Sequence, residues 1–542
     1  MNLIFATKKL IENNHRYTEY GGNFWIIDPA DLVVISLFPS RSLSIEEGKV
    51  EETTNNVNVS GKPEEASKWL FWTCFVALVA TSFGFIIRAN IIGDLGIHFN
   101  LSETQKGEIL GVGLWPFALS IILFSLIIDK IGYGRALTFG FICHVASAII
   151  TIFASSYQML YWGTFILALG NGTVEAVINP VVATVYSKDK IKWLNILHAG
   201  WPGGMVLGGL LILILMPGLD WRWKVGLVLI PAAVYGLMMI RAKFPIHERV
   251  KAGISYKAML QEAGIIGAVI VVIIMTAEVG RVLQLSLPLM IIIAAVLIIS
   301  YSIYVRSLGH PLFIFLLLIM IPLATTELGT DSWITELVTP VMGNMGLQPG
   351  WLLIYTAFIM MVLRFLAGPI VHKISPLGLL AACSAIAVIG LIMLSKTAGI
   401  LIFIAATIYA LGKSFFWPTM LGVAAERFPK GGALTLNAIG GMGMLSVGVI
   451  GAVFLGNIQD RQIDHELLAQ NPAIHSQIVT QEKGSLFGKY QPIDQDKLAS
   501  LDQTDKEAVD TVVSSAKKNA LMTVAIFPAI MLVCFLILIF YF

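Results

Sequence analysis

Acidic and amide side chains recur at helical spacing inside stretches that are otherwise apolar. Asn171, Glu175 and Asn179 are four residues apart, so in a helix they share one face. Glu327 and Asp331 repeat that spacing. Ionisable groups in an apolar helix cost free energy unless they face a partner or a water-filled cavity. The pattern therefore indicates a buried polar site that forms hydrogen bonds and binds protons.

Further polar and aromatic side chains lie in other apolar stretches and join this site in our prediction. An aromatic ring stacks well on the apolar C–H face of a sugar, so we expect Trp201 and Trp417 to form walls of the site, with core packing as the alternative. His198, one turn before Trp201, is either a proton relay or a hydrogen-bonded interior histidine. The predicted substrate-binding residues are Asn171, Asn179, Asn195, His198, Trp201, Lys413, Trp417 and Asn437.

The charges in these stretches do not balance. Two cations stand against three carboxylates, so one carboxylate lacks a partner if all five face one cavity. A buried carboxylate without a counter-ion favours its protonated form. We predict that Glu175 carries a proton, and the alternative is a buried ion pair between Glu175 and Lys413. Arg88 has snorkelling to the outer surface as its alternative role. Asp331 has the role of an interfacial anchor as its alternative. The predicted proton-coupling residues are Glu175, Glu327, Asp331 and Arg88.

The stretches that carry these residues are long enough to cross a bilayer. The chain has 542 residues, 56% of them hydrophobic and 13% charged, whereas soluble domains carry about 25% charged residues. A helix needs about 20 apolar residues to cross a hydrocarbon core about 30 Å thick. In lipid, a helix satisfies the hydrogen bonds of its own backbone N–H and C=O groups. We predict an all-α polytopic membrane protein with about fourteen transmembrane helices. The predicted spans are 69–92, 109–128, 136–153, 159–186, 193–215, 223–241, an extra pair at 263–277 and 283–304, and then 312–337, 351–370, 376–394, 399–424, 431–455 and 520–542.

In this predicted topology, lysine and arginine lie in the loops on one side of the membrane. This distribution predicts that both termini are cytoplasmic. The short span 263–277 has a re-entrant or interfacial segment as its alternative. We expect an integral plasma membrane protein of the bacterial inner membrane. The predicted parts are a cytoplasmic tail at 1–68, a six-helix bundle at 69–241, a cytoplasmic linker with two extra helices at 242–310, and a second six-helix bundle at 311–542 with a long polar external loop at 456–518.

The joint after the second span carries a recognisable sequence, Asp129-Lys130-x-Gly132-x-Gly134-Arg135. It resembles the loop signature of the major facilitator superfamily, with Ser125 in place of the leading glycine and Tyr133 in place of a basic residue. The resemblance implies the major facilitator fold, two six-helix halves related by parallel repetition. A carboxylate here can face a helix N-terminus and a nearby arginine in one conformation only. We therefore predict a conformational switch formed by Asp129, Gly132 and Arg135.

Within that superfamily, three short stretches resemble the fucose permease group of sugar–proton symporters. They are Glu175-x-x-x-Asn179-Pro180, Trp417-Pro418-Thr419 and the acidic stretch from Glu327 to Trp333. The group's first helix can carry an acidic residue near the position of Arg88, and its usual twelve helices do not include the extra pair. The proton route of the group therefore cannot be transferred directly to this chain.

Together these features predict a secondary active transporter that moves a small polar solute, most readily a sugar, by alternating access with proton coupling. Proline and glycine in the fifth span also resemble drug–proton antiporters, so an efflux antiporter of drugs or metabolites is an alternative. A non-transporting membrane receptor and a membrane-embedded enzyme are others, but no catalytic triad or nucleotide-binding loop favours an enzyme. We expect a monomer with no cofactor or metal and no nucleic-acid partner, embedded in the lipid bilayer.

Overall fold

The structure is a computed structural model that describes residues 17–20, 23–27, 34–36, 63–99, 109, 111–216, 218–485, 488–491 and 493–541. The chain divides into two units, Met1–Ser60 and Gly61–Phe542. Most of the predicted tail at 1–68 lies outside the described residues. Within the first unit, strands β1 (Tyr17–Tyr20), β2 (Asn23–Ile27) and β3 (Val34–Ser36) form an antiparallel sheet in that order.

The first half of the second unit is built from helices that alternate in direction. The second span begins six residues after the predicted residue 109, because a turn at 112–114 precedes Trp115 and Pro116 is placed in the first helical turn. The helices are α1 (Pro63–Phe99), α2 (Trp115–Ile131), α3 (Tyr133–Ile152), α4 (Tyr157–Val185), α5 (Lys190–Leu197), α6 (Gly200–Leu210), α7 (Trp221–Gly226) and α8 (Leu229–Ile240).

A linker and the extra pair follow. The linker contains a short helix, α9 (Glu248–Lys251), and the pair consists of α10 (Tyr256–Val282) and α11 (Leu287–Val305). Helix α10 extends beyond the predicted bounds 263–277 and is long and apolar enough to cross a membrane. It is interrupted at Gly264, whose φ of 65° lies outside the helical region and where the backbone of Gly309 approaches closely.

The second half repeats the alternating helices. They are α12 (Pro311–Ala324), α13 (Thr330–Asn344), α14 (Gly350–Phe365), α15 (Ala367–Val371), α16 (Pro376–Lys396), α17 (Leu401–Lys413), α18 (Phe416–Arg427), α19 (Gly432–Leu445), α20 (Ala452–Gln470), α21 (Pro472–Ile478), α22 (Gln495–Ser500), α23 (Gln503–Val524) and α24 (Ile526–Tyr541). A 3-10 turn at Pro429–Gly431 precedes α19. The π-helical segments Leu211–Leu215, Thr325–Gly329 and Ser446–Gly451 continue α6, α12 and α19.

The described residues contain twelve helices that are long and apolar enough to cross a membrane. The shorter apolar helices α2 and α14 occupy the positions of the two remaining predicted spans. Several spans are not continuous α-helices. The fifth, seventh, tenth and eleventh core spans contain breaks or π segments, and such irregular backbone is tolerated at membrane depth where it is buried in protein.

The segment predicted as a long polar loop at 456–518 is largely helical in the structure. Helix α20 continues from the eleventh core span, and α23 leads into the last span well before the predicted residue 520. Strands β4 (Lys483–Ser485) and β5 (Gly488–Tyr490) form a hairpin between them. This segment has a small hydrophobic core of its own, which explains why a polar sequence folds here. The core consists of Leu467, Ile474, Ile478, Val509 and Val512.

Candidate functional site

A small cavity lies between the two halves and is lined by several of the predicted site residues. Its volume is about 20 Å³, close to the space that one water molecule needs. Glu175, His198 and Trp201 line it from the first half. The lining residues from the second half include Glu327, Arg364 and Trp417. We refer to this space as the central cavity.

Glu175 begins a chain of hydrogen bonds in the first half. Asn179 Nδ2 donates to Glu175 Oε2 at 2.9 Å, since the two residues are one helical turn apart on α4. The Oδ1 atom of Asn179 is 3.0 Å from Nε2 of His198, which reaches it from the junction of α5 and α6. Glu175 is buried, and within the described part of the chain it forms no ion pair.

Arg364 and Glu327 form a buried ion pair in the second half. Nη2 of Arg364 donates to Oε1 of Glu327 at 2.6 Å, and both side chains are almost fully buried. The backbone N–H of Trp417 donates to the other Glu327 oxygen at 3.2 Å. That N–H lies in the first turn of α18, where helical N–H groups have no partner within the helix. Glu327 therefore stabilises the Arg364 guanidinium and also the start of α18, where the tenth core span is interrupted.

At three of the prolines inside the spans, a polar side chain binds the backbone carbonyl four residues earlier. Proline has no N–H for the carbonyl four residues before it. Arg364 donates to two such oxygens, that of Ser414 before Pro418 at 2.6 Å and that of His198 before Pro202 at 3.0 Å.

The third such carbonyl, that of Ala176 before Pro180, accepts a hydrogen bond from Asn437 Nδ2 at 2.9 Å. Asn437 lies on α19 in the second half, whereas Ala176 lies on α4 in the first. Two of the three bonds, those to His198 and Ala176, therefore join the two halves directly.

Lys413 is paired with Asp331 and not with Glu175, so the alternative of a Glu175–Lys413 pair is not what the structure shows. The two side chains are buried and in direct contact. Asp331 is thus an interior residue and not an interfacial anchor. The count of two cations against three carboxylates omits Arg364, although this residue lies inside the predicted span 351–370. With Arg364 paired to Glu327 and Lys413 paired to Asp331, the unpaired carboxylate is still Glu175.

The remaining predicted residues lie around the cavity or away from it. Asn195 Nδ2 donates to Thr419 Oγ1 at 3.3 Å, another contact between the halves. Asn171 is hydrogen-bonded to His144 at 2.9 Å inside the first half, and Tyr235 binds the other ring nitrogen of His144 at 3.0 Å. Arg88 lines a different cavity within the first half, and its side chain is turned into the bundle, unlike a snorkelling residue.

The predicted switch loop is in place, but Arg135 is not the partner of Asp129. Gly132 has a φ of 85° and forms the turn between α2 and α3, a conformation that favours glycine. Asp129 forms an ion pair with Arg249 of the linker helix α9, and both side chains are mostly buried. Arg135 is exposed. Sequence reasoning missed Arg249 because its proximity to Asp129 arises only when the linker folds back.

The linker contacts both halves on this side. Lys190 Nζ lies 2.8 Å from Glu248 Oε2 and 3.4 Å from the backbone oxygen of Ala425 in the second half. A Cβ on Gly432 would come within 3.1 Å of the Arg249 side chain, so the start of α19 packs directly on the linker. Burial lowers the pKa of His247, which precedes α9 and lies outside the spans.

The halves contact each other on both sides of the central cavity. Toward the predicted cytoplasmic side, Asn195 of the first half reaches Thr419 of the second. Toward the opposite side, a Cβ on Gly209 would lie 2.8 Å from Cδ1 of Ile354, and one on Gly448 would lie 3.5 Å from Cβ of Leu114. With these contacts on both sides, the cavity between the halves measures about 20 Å³ in this conformation.

Two curated relatives share modest sequence similarity with part of the chain. A "Protein TsgA homolog" of Buchnera aphidicola subsp. Schizaphis graminum is 24% identical over 181 residues, which cover 33% of this chain and 47% of the relative. The "Putative niacin/nicotinamide transporter NiaP" of Bacillus subtilis is 22% identical over 160 residues, 29% of this chain and 40% of the relative. The chain thus spans less than half the length of these relatives.

Solved structures of transporters share the fold. The human organic anion transporter MFSD10 aligns with a TM-score of 0.55 at 10% identity, covering 88% of this chain and all of its own. The proton:xylose symporter XylE aligns at 0.56 with 14% identity, covering 75% and 91%. The transporter FucP in an outward conformation aligns at 0.50 with 13% identity, covering 84% and 98%.

The family model of the Major Facilitator Superfamily matches residues 72–453, which run from α1 through the extra pair to the eleventh core span. The chain, whose described residues contain twelve helices long and apolar enough to cross a membrane, belongs to the Major Facilitator Superfamily.

Proposed function

We propose that this protein couples the movement of a small neutral polar solute, of the sugar class, to the movement of protons. The observation that carries the proposal is the position of Glu175. Its carboxyl group lines the central cavity, is buried, and has no ion-pair partner in the described part of the chain. A carboxyl group in such a place is stabilised when it binds a proton.

The balance of charge in the cavity wall favours a neutral solute. Arg364 and Lys413 are each paired with a carboxylate, so neither offers a free positive charge to an anionic solute. With Glu175 protonated the wall is neutral, and with Glu175 ionised it is negative. An organic anion would thus meet repulsion in one state and no attraction in the other.

The hydrogen-bonding groups and the aromatic rings suit a sugar. Glu175 Oε1, together with the unused hydrogen of Asn179 Nδ2, can bind hydroxyl groups. Trp201 and Trp417 line the same cavity from opposite halves and provide faces for stacking. The proton:xylose symporter XylE shares the fold, which agrees with this proposal.

A cavity of this size requires motion of the halves before any sugar can enter. Small-molecule sites usually measure about 300 Å³ or more, whereas this cavity measures about 20 Å³. Opening one side requires the Asn437–Ala176 and Arg364–His198 bonds to lengthen or break. When Glu175 is protonated, it no longer places a negative charge between the halves. Protonation thereby favours closure of the halves around a bound sugar.

Uptake into proteoliposomes tests the proposal. Labelled neutral sugars, among them fucose and xylose, are compared with the anions nicotinate and benzoate, each with and without an inward proton gradient. We expect at least one sugar to accumulate only when the gradient is present. Accumulation of an anion alone, or sugar accumulation that ignores the proton gradient, would contradict the proposal.

A further inference from the structure

A second cavity lies within the first half, apart from the central one. Its volume is about 40 Å³, and it is enclosed by α1, α3, α4 and the sixth span. Most of the lining is aliphatic, but the hydroxyl-bearing residues Ser147, Thr151 and Thr164 also line it. The two cavities share no lining residue. We call this space the outer cavity, because it lies toward the predicted external ends of the helices.

Arg88 is the charged residue of the outer cavity. Its side chain is only 7% exposed, and its Nη1 atom has no hydrogen-bond partner. In the part of the chain that the structure describes, no carboxylate forms an ion pair with it. Of the described acids at the predicted outer ends of these helices, Asp94 binds Lys224 at 2.9 Å and Asp220 binds Arg222 at 3.3 Å.

The guanidinium group cannot relieve this burial by losing its proton. Arginine stays charged in proteins, so an isolated buried guanidinium remains an uncompensated cation. Buried charges are stabilised by an opposite charge and by hydrogen bonds. The structure thus combines a permanent cation, an unsatisfied N–H donor and adjacent free space.

We propose that the outer cavity binds a small monovalent anion, a halide or a one- or two-carbon carboxylate, against the Arg88 guanidinium. A cavity of about 40 Å³ has room for about three water-sized groups, which admits such anions and excludes sugars and larger organic acids. The anion accepts hydrogen bonds from Arg88 and neutralises its charge. This site is independent of the proposed sugar transport, because it shares no residue with the central cavity.

Thermal unfolding of the purified full-length protein in nanodiscs tests this site. At constant pH and ionic strength, gluconate is replaced stepwise by chloride, and in parallel series by bromide or acetate. We expect the Tm of the wild-type protein to rise and to saturate with at least one of these anions. A response to chloride and bromide identifies a halide site, and a response to acetate alone identifies a carboxylate site.

Two variants remove the site in different ways. Arg88→Gln removes the charge, and Gly113→Ala places a Cβ in steric conflict with the present position of Arg88 Nη2, so the guanidinium must move. We expect both variants to lose the anion-dependent rise in Tm. The control Arg222→Gln removes an arginine outside the outer cavity and keeps the rise, as does Glu175→Gln in the central cavity.

Binding of ³⁶Cl⁻ or labelled acetate to the wild-type protein provides a readout that does not depend on variant folding. One saturable site per chain supports the proposal. No saturable binding of either anion, no change of wild-type Tm, or an equal Tm rise in Arg88→Gln would each overturn it.

Discussion

The central cavity contains one buried carboxyl group, and the outer cavity one buried guanidinium group, without an ion-pair partner among the described residues, but the two groups have different chemistry. Glu175 becomes neutral when it binds a proton, whereas Arg88 stays charged at any pH that a protein survives. The same problem of burial therefore has two solutions. The central cavity is suited to a proton that comes and goes, and the outer cavity is suited to a bound anion.

The paired residues beside Glu175 make this contrast sharper. Arg364 satisfies Glu327 and two proline-freed carbonyls at once. We expect Arg364→Gln to destabilise the protein more than any other single substitution in the two cavities, by about 3–5 kcal/mol in the free energy of unfolding, because a buried carboxylate and two carbonyls lose their partner. Thermal or denaturant unfolding in nanodiscs measures this loss.

The double variant Arg364→Gln with Glu327→Gln serves as the control. It removes both charges, so it should be less destabilised than Arg364→Gln alone. If the two are equally unstable, the pair is not held together by charge compensation, and the contrast with Glu175 fails.

Arg88→Gln should have the opposite sign in a buffer without small anions. An uncompensated cation is removed and its place is taken by a neutral amide that still forms hydrogen bonds. We expect the variant to unfold at the same Tm as the wild-type protein or a higher one in gluconate. A marked decrease would show that Arg88 has a stabilising partner, and the two cavities would then no longer be comparable.

Asn437→Ala should have a smaller effect that is specific to the closed conformation. The Ala176 carbonyl loses its donor, which costs about 1–3 kcal/mol for a buried acceptor. We expect faster labelling of a cysteine placed in the central cavity and little change in overall Tm. The matched variant Asn171→Ala removes an amide that binds within one half, so it should leave the labelling rate unchanged.

The mostly buried pair Asp129–Arg249 joins the end of α2 to the linker helix α9, and neither residue lines either cavity. We expect the loss of this pair to change mainly the rate of transport. We expect Arg249→Gln to change the uptake rate several-fold and Arg135→Gln, an exposed arginine on the same loop, to change it by less than twofold. Equal effects would restore Arg135 as the partner of Asp129.

Much of the architecture could be predicted because the signals are local. The apolar spans, the stripe of Glu175 and Asn179, and the glycine turn at Gly132 depend on residues close in the sequence. Even Pro180, Pro202 and Pro418 show in the sequence which carbonyls lack a donor.

The side chains that bind those carbonyls could not be predicted in the same way. Arg364 and Asn437 come from distant helices, and their partners depend on how the halves pack. Arg249 meets Asp129 only through the fold of the linker. The charge count predicted one carboxylate without a partner, but it used the wrong set of cations, since it included Arg88 and omitted Arg364.

The most direct test of the central claim is a comparison of wild-type protein and Glu175→Gln in proteoliposomes, using the sugar that the uptake panel identifies. Exchange of labelled for unlabelled sugar is measured beside accumulation driven by an inward proton gradient. We predict that Glu175→Gln retains exchange but accumulates no sugar above the external concentration. Gradient-driven accumulation by Glu175→Gln to the wild-type level would contradict the assignment of the proton to Glu175.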